Sequence, residues 1–305
     1  MIQIISSEDE GRGVDSRYDP MILITGASGH IGRRVSELLA QQNARLRLMS
    51  RTPEKTCRLA DVEAIPGDFQ DDASLARAFT GIEKALVISG KAEPGERARL
   101  HNNAFRAAAK AGVKQIVYLS LKGASPDSIY PYCRDHYESE EFLAASGVPY
   151  TSVRGAFYMD MLFGKFDSHG VMRGPAGNGR GAFIAREDTA RAAAAAVLDR
   201  PAGIIEVTGR ELLTLDDVSC RLSAITGRSL RYENESADEM AKRLNRTSMP
   251  KWTQAVEVSW FQAIAAGEQA SVTHGYQRLT AIEPLNIEQY CSAFPNVTNE
   301  LRAAA

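Results

Sequence analysis

Several features that would place a protein outside the ordinary globular class are missing from this 305-residue chain. It has four cysteines (Cys57, Cys133, Cys220, Cys291), scattered and without a C-x-x-C pair, so no disulfide framework can be read from them. A reducing cytoplasm is the expected setting. No apolar run approaches the ~18 residues that a membrane span requires. Charge of one sign is also lacking. The 36 Lys and Arg against 38 Asp and Glu leave a formal charge of −2, which excludes a broad electrostatic footprint for nucleic acid. The N-terminus opens acidic, with Glu8, Asp9 and Glu10, and lacks the basic-then-apolar order of a signal peptide. There is no G-x-S-x-G elbow and no convincing Cys–His arrangement for hydrolysis. His136 and Glu140 have metal-ligand spacing, but only Cys133 stands near them as a third ligand, so no metal is expected.

What is present is the balance of a globular chain, 44% hydrophobic and 24% charged. Met1 to Pro20 is mostly polar after Ile5 and has neither helical nor strand period. It reads as a disordered extension, or as translation begun upstream of a natural start at Met21; an edge strand at Met1–Ile5 is the weaker alternative. From Met21 the chain alternates. Short apolar strands are expected at Met21–Thr25, Arg45–Ser50, Glu63–Gly67, Ala85–Ser89, Gln115–Leu121 and Tyr150–Arg154. Helices fall between them, among them Gly95 to Ala111, with Gly112 as its C-cap, and Tyr132–Ala145. Such alternation means right-handed crossovers and a doubly wound parallel sheet, a dinucleotide-binding domain over residues 21–155. Beyond it the rhythm changes. A glycine-rich stretch, Gly170–Gly181, comes first, and its run Gly174–Gly181, which lacks the Gly-Lys-Ser/Thr of a phosphate loop, is expected as a mobile flap beside a cleft. An alanine-rich helix follows near Glu187–Leu198, then a strand at Gly203–Thr208 and a helix opened by Thr214 with Asp217. Residues 156–305 read as a smaller, mainly helical substrate-binding part.

Thr25-Gly26-Ala27-Ser28-Gly29-His30-Ile31-Gly32 places three glycines at i, i+3 and i+6 between a buried strand and an amphipathic helix. Gly26 permits the tight turn, Gly29 lets backbone approach a pyrophosphate, and Gly32 lets the helix sit close on the sheet. The unpaired N–H groups at the helix start, through His30 and Ile31, then face the phosphates, with Ser28 beside them. The second strand ends Met49-Ser50-Arg51-Thr52, with no acid before Glu54. A carboxylate here would bind a ribose 2′-hydroxyl, whereas a guanidinium holds a 2′-phosphate, so Arg51 points to NADP(H) over NAD(H). Asp68 after the third strand is expected near the adenine amino group, Phe69 against the ring, and Ile88-Ser89-Gly90 along the adenine ribose. Arg33 and Arg34 open the helix within reach of phosphates or as ordinary surface arginines.

The combination ITGASGHIG, MSRTPEK and GDF with RDHYESEEFLAASGVPYTSVRGAFY resembles the NmrA-like branch of atypical short-chain dehydrogenases/reductases. It is most similar to the triphenylmethane reductase-like and NAD(P)H:quinone oxidoreductase-like members, over about Met21 to Leu279. The late segment Ala263 to Thr273 resembles that family's C-terminal helix and turn. The resemblance implies an extended Rossmann-type fold, an NADP-type cofactor and a cleft for a planar, electron-accepting small molecule. It also places Ser120 at a superfamily active-site position, and Arg154, Phe157 and Tyr158 by the nicotinamide and substrate pocket. Each of the three has a plainer alternative, as core or as an ion-pair partner.

The superfamily's Tyr-x-x-x-Lys pair is not found. Tyr118 and Lys122 match formally, but four residues of strand span about 13 Å, so the two groups cannot meet. Tyr130 with Arg134, and Tyr132 with His136, supply no lysine. Asp135 stands where some relatives carry one just before the histidine. His136 is the side chain best suited to polarise a carbonyl or give a proton, unless it only bonds Glu140 one turn on. Hydride transfer to a quinone or dye needs stacking on the nicotinamide, and solvent can deliver any proton. Two functions therefore stay open: an NADPH-dependent reductase of planar acceptors, or a non-catalytic NADP(H)-binding redox sensor. A homodimer is left open.

Overall fold

The computed structural model describes residues 20–90 and 92–303, so the extension expected before Pro20 lies outside the described residues. The chain runs β1 (Ile22–Thr25), α1 (His30–Ala40), β2 (Leu46–Ser50), β3 (Glu63–Pro66), α2 (Asp72–Phe79), β4 (Lys84–Ile88), α3 (Glu96–Lys110), β5 (Gln115–Leu121), α4 (Pro131–Ala145) and β6 (Tyr150–Gly155). It continues through α5 (Asp160–Phe163), β7 (Val171–Gly174), β8 (Arg180–Gly181), α6 (Arg186–Asp199), β9 (Gly203–Val207), β10 (Leu213–Thr214), α7 (Leu215–Thr226) and β11 (Arg231–Asn234). Five helices close it: α8 (Ala237–Leu244), α9 (Lys251–Ala265), α10 (Gly275–Thr280), α11 (Ile287–Ala293) and α12 (Pro295–Ala303).

Seven strands form one parallel sheet in the order β3-β2-β1-β4-β5-β6-β9. Apolar residues on both sides of the central strands require cover on both faces, which explains the continuous runs ILIT and ALVI. Leu23, Ala85, Val87, Ile116 and Tyr118 face the α2–α3–α4 layer; Ile24, Leu86, Val117 and Val153 face α1 and α6. Buried Lys84 donates from Nζ to the carbonyls of Val197 (2.6 Å) and Leu198, at the end of α6. A cation thus meets the negative end of that helix and its orphan carbonyls.

Two expectations change. The sheet does not stop at residue 155: α6 packs on α1, and β9 pairs with β6, so the nucleotide-binding layer takes in residues 186–207. The part beyond is mainly helical, as expected, with β7 paired to β11 and β8 to β10 in two small sheets. The glycine-rich stretch is a packed segment rather than a flap. Val171, Met172 and Ala176 are buried, and a Cβ at Gly174 would stand 2.5 Å from the Phe261 ring on α9. Its glycines permit close approach to a helix. The short helix α2, unmarked by a long apolar period, is set by Asp71, whose carboxylate accepts from the backbone N–H groups of Ala73 and Ser74. The second core, around Phe157, Phe183, Trp260 and Phe261, lies between α5, β7 and the C-terminal helices.

Candidate active site

The strand order reverses between β1 and β4, so a crevice opens there at the carboxyl ends of the strands. A cleft of about 660 Å³ fills it. Gly26 sits at φ +62°, a backbone that side chains rarely adopt, and its carbonyl accepts from Gly29 N–H at 3.0 Å. A Cβ on Gly32 would overlap the Gly26 carbonyl oxygen and stand 2.9 Å from Ala27 Cα, so only glycine lets α1 meet the turn. Thr25 Oγ1 accepts from Ile88 N–H at 2.9 Å, which ties the turn to the end of β4. Gly26, Ser28, Gly29, His30, Ile31, Gly32, Arg51, Asp68, Phe69, Ile88, Ser89 and Gly90 all line the cleft. The cradle of glycines beside a helix start is the shape that a dinucleotide's diphosphate requires.

On the β2 side, Arg51 is exposed and its guanidinium has no partner among the described residues. Ser50 Oγ donates to Ser28 Oγ at 2.8 Å and accepts from Thr52 N–H at 3.1 Å, fixing the loop that carries Arg51. Asp68 Oδ1 accepts from Gln70 N–H at 3.0 Å, and the Phe69 carbonyl accepts from Asn103 Nδ2. Arg33 and Arg34 are occupied elsewhere. Arg33 donates to the Ser28 carbonyl at 3.1 Å and to that of Lys55, while Arg34 forms a bidentate pair with Glu187 at 2.7 and 2.9 Å. They brace the turn against its surroundings.

The residues expected to act on the substrate are dispersed. His136 does not line the cleft, and the bond to Glu140 weighed from spacing is absent. Its Nδ1 lies 2.6 Å from Tyr118 Oη, which is also 3.0 Å from His101 Nδ1. Ser139 donates its proton to the Asp135 carbonyl at 2.6 Å, so its oxygen accepts from His101 Nδ1–H at 2.8 Å. That leaves the Tyr118 hydroxyl to donate to His136 Nδ1. Burial holds His136 well below its ordinary value and brings His101 down to about 3, so both rings are neutral. Tyr118 and Lys122 have separate partners, the first on the two histidines and the second donating from Nζ to the Glu268 carbonyl at 3.3 Å. Ser120 Oγ, at the end of β5, is buried and has no hydrogen-bond partner among the described residues.

Arg154 is an ion-pair partner: Nε and Nη2 reach Glu140 at 3.0 and 2.5 Å, and Ser152 donates to the same carboxylate. Phe157 belongs to the C-terminal core, stacked on Trp260 at 5.4 Å and edge-on to Tyr130 at 5.1 Å. The next side chain turns the other way. Tyr158 is half-buried beneath Arg186, whose guanidinium carbon lies 5.4 Å from the ring centroid. Burial pushes its hydroxyl up to about 12, and the Arg186 charge opposes that rise.

Two residues escaped the sequence reading. Arg186 opens α6 and lines the same cleft as Glu93 and Glu96. An arginine is unfavourable at the positive end of a helix, and that conflict was the available signal. Arg97, in the first turn of α3, stacks at 3.5 Å over the Tyr132 ring. Its Nε is buried without a hydrogen-bond partner. No spacing rule connects α3 to Tyr132, so nothing in the sequence marked it.

A model of an NAD(P)H-binding family matches residues 26–200. Quinone oxidoreductase 2 of Escherichia coli (strain K12) is 34% identical over 239 residues, covering 75% of this chain and 83% of that protein. The crystal structure of the NADPH-dependent quinone oxidoreductase QOR2 of E. coli, complexed with NADPH, superposes with a TM-score of 0.83 at 30% identity, covering 90% of this chain and all of that one. The triphenylmethane reductase of Citrobacter sp., complexed with NADP(H), gives 0.80 at 26% identity over 89% of this chain and 99% of that one. NmrA, a negative transcriptional regulator, shares the fold at 15% identity, with a TM-score of 0.74 over 93% of this chain and 98% of its own.

Proposed function

This chain belongs to the NAD(P)H-binding family, in the NmrA-like branch of the atypical short-chain dehydrogenases/reductases, and we propose that it is an NADPH-dependent reductase of quinones, dyes or similar planar acceptors. The oxidoreductase class follows from that membership; the choice of NADPH and the acceptor class are the proposal. The observation that carries it is the glycine turn, whose backbone leaves room for a diphosphate at the start of α1 and for nothing larger than hydrogen at Gly32.

Backbone amides at Gly29–Gly32 hold the diphosphate. Arg51, without a partner among the described residues, receives the 2′-phosphate, with Ser50 and Thr52 shaping its loop. Asp68 and Phe69 would take the adenine, with Ile88, Ser89 and Gly90 along its ribose. Bound there, the reduced nicotinamide would supply hydride. Tyr158 then forms one wall of the acceptor site. The sealed Tyr118–His136 pair offers no acid to the cleft, so solvent supplies the proton. Quinone oxidoreductase 2 and triphenylmethane reductase are named for acceptors of this kind, which supports the reading.

The same sealed pair favours a second reading, a binder of NADP(H) that reports redox state to a partner. Steady-state NADPH oxidation against a panel of quinones and triphenylmethane dyes separates the two. Turnover of any of them establishes the reductase, and tight NADPH binding with no turnover leaves the sensor.

A further inference from the structure

Of the lysines and arginines, only Arg51 and Arg186 line the cleft among the described residues. Arg33 and Arg34, the cations that follow the glycine turn in sequence, are engaged by backbone carbonyls and by Glu187. The Arg34 pair also fixes where Arg186 stands. Glu187, the next residue along, meets Arg34 of α1 at 2.7 and 2.9 Å, and Arg191 holds the same carboxylate at 2.9 Å from one turn on. The head of α6 is thereby locked beside the start of α1, on which it packs. Its backbone is tied on another side: Arg186 N–H donates to Asp160 Oδ2 at 2.9 Å, and Asp160 Oδ1 accepts from Tyr290 Oη at 2.7 Å. The Arg186 side chain, by contrast, forms no ion pair or hydrogen bond among the described residues and rests 5.4 Å from the Tyr158 ring centroid. A cation at the first position of a helix meets the positive end of its dipole, a cost that a bound anion removes.

We propose that Arg186 is a second cation of the cofactor site, whose guanidinium closes on the diphosphate from the side that the glycine turn leaves open. The inference rests on the NADP(H) reading and adds to it a residue from a distant part of the chain. The turn supplies only N–H dipoles to a group that bears two negative charges, and Arg51 is committed to the 2′-phosphate. Glu93 and Glu96 line the same cleft and repel a diphosphate, although Glu96 is paired with Arg99 at 2.7 Å. A guanidinium offsets that repulsion, because it stays charged and donates two parallel hydrogen bonds to phosphate oxygens. Since Arg186 is anchored through Asp160 to Tyr290 of α11, the diphosphate then ties the turn after β1 to the C-terminal helices.

The test is calorimetric titration of the full chain with NADPH, NADH and adenosine 2′-monophosphate, with a thermal melt for each variant. Arg186→Ala is expected to weaken NADPH and NADH by the same factor, about tenfold, the loss of one charged hydrogen bond. Adenosine 2′-monophosphate, which has no diphosphate, should stay within about twofold of its wild-type affinity. Arg186→Lys keeps the charge without the fork and loses about threefold or less. Arg51→Ala gives the opposite pattern, weakening NADPH and the monophosphate while NADH is retained. Where alanine lowers the melt, Arg186→Gln keeps the side-chain length, drops the charge and carries the same expectation. Unchanged affinity for both dinucleotides in a folded variant would overturn the proposal. A loss confined to NADPH would overturn it too, by assigning Arg186 to the 2′-phosphate, as would an equal loss of the monophosphate, which reports a distorted cleft. Wild type that binds neither dinucleotide refutes the cofactor reading itself, whereas wild type that binds them no better than the Arg186 variants refutes this inference alone.

Discussion

The two ends of the cleft are built by different means. At the diphosphate end one continuous octapeptide does the work with backbone atoms, and its side chains matter chiefly by being absent. Beyond it the lining is side chains, Glu96 and Leu100 of α3 and Arg186 at the head of α6, brought together by packing. The first construction is nearly independent of the rest of the chain, because a turn with φ > 0 and a close carbonyl contact leave glycine as the only residue that fits. The second exists only once the sheet has formed. It should therefore tolerate exchange of one wall residue for another, whereas the turn should not.

Gly32→Val breaks the backbone end and carries the largest expected effect. Its side chain would overlap the Gly26 carbonyl, so NADPH affinity should fall by more than about 100-fold and stability by about 1–3 kcal/mol, read by calorimetry and a thermal melt. A melt little changed, with NADPH binding intact, would show that α1 can move away from the turn. The side-chain end is sharpened by pH. His101 and His136 are neutral when folded, with values depressed below the unfolded one, so the unfolded state binds more protons as pH falls below about 6.5. Each should cost about 1.4 kcal/mol of stability per pH unit below that point, until the raised carboxyls of Asp135 and Asp188 begin to oppose the trend. Melting temperatures between pH 7 and 5 test this, and His101→Gln should flatten the slope.

Arg51→Glu addresses the adenosine side. Placing a like charge beside the 2′-phosphate should move preference toward NADH by more than about tenfold, or about 1.4 kcal/mol; equal NADPH affinity in the variant would refute the cofactor choice. Tyr118→Phe is the mildest for turnover. It removes the donor to His136 Nδ1 and should cost about 1–3 kcal/mol of stability while leaving kcat within a few-fold, since the trio is sealed from the cleft. A large loss of kcat with normal stability would restore His136 to the chemistry.

The legible parts of the sequence share a physical cause. Buried parallel strands show as apolar runs, and the phosphate turn shows as glycines at fixed intervals, so β1, α1 and the cleft residues from Gly26 to Gly90 could be placed from local pattern. The misread parts depended on partners far away in the chain. His136 was judged by its neighbour Glu140, but the groups that hold it are Tyr118 on β5 and His101 on α3. For Arg154 and Phe157 two readings stood open, and the packing selects the plainer one, ion-pair partner and core. Gly170–Gly181 looked mobile because its contacts, Phe261 and Ile264 on α9, lie some eighty residues on.

By itself the sequence determined where backbone geometry is restricted: a glycine-lined turn, a doubly wound sheet and an arginine in place of an acid after β2. Those restrictions act over a few residues and cannot be met by distant partners. Only the tertiary structure decided which polar side chains stay free and which are taken. It paired Arg154 with Glu140 and closed the tyrosine and two histidines on one another, while among the described residues Arg51 and Arg186 of the cleft were left without an ion pair. Charge becomes available to a substrate only when folding supplies no closer counter-charge, and that is a property of the packed molecule.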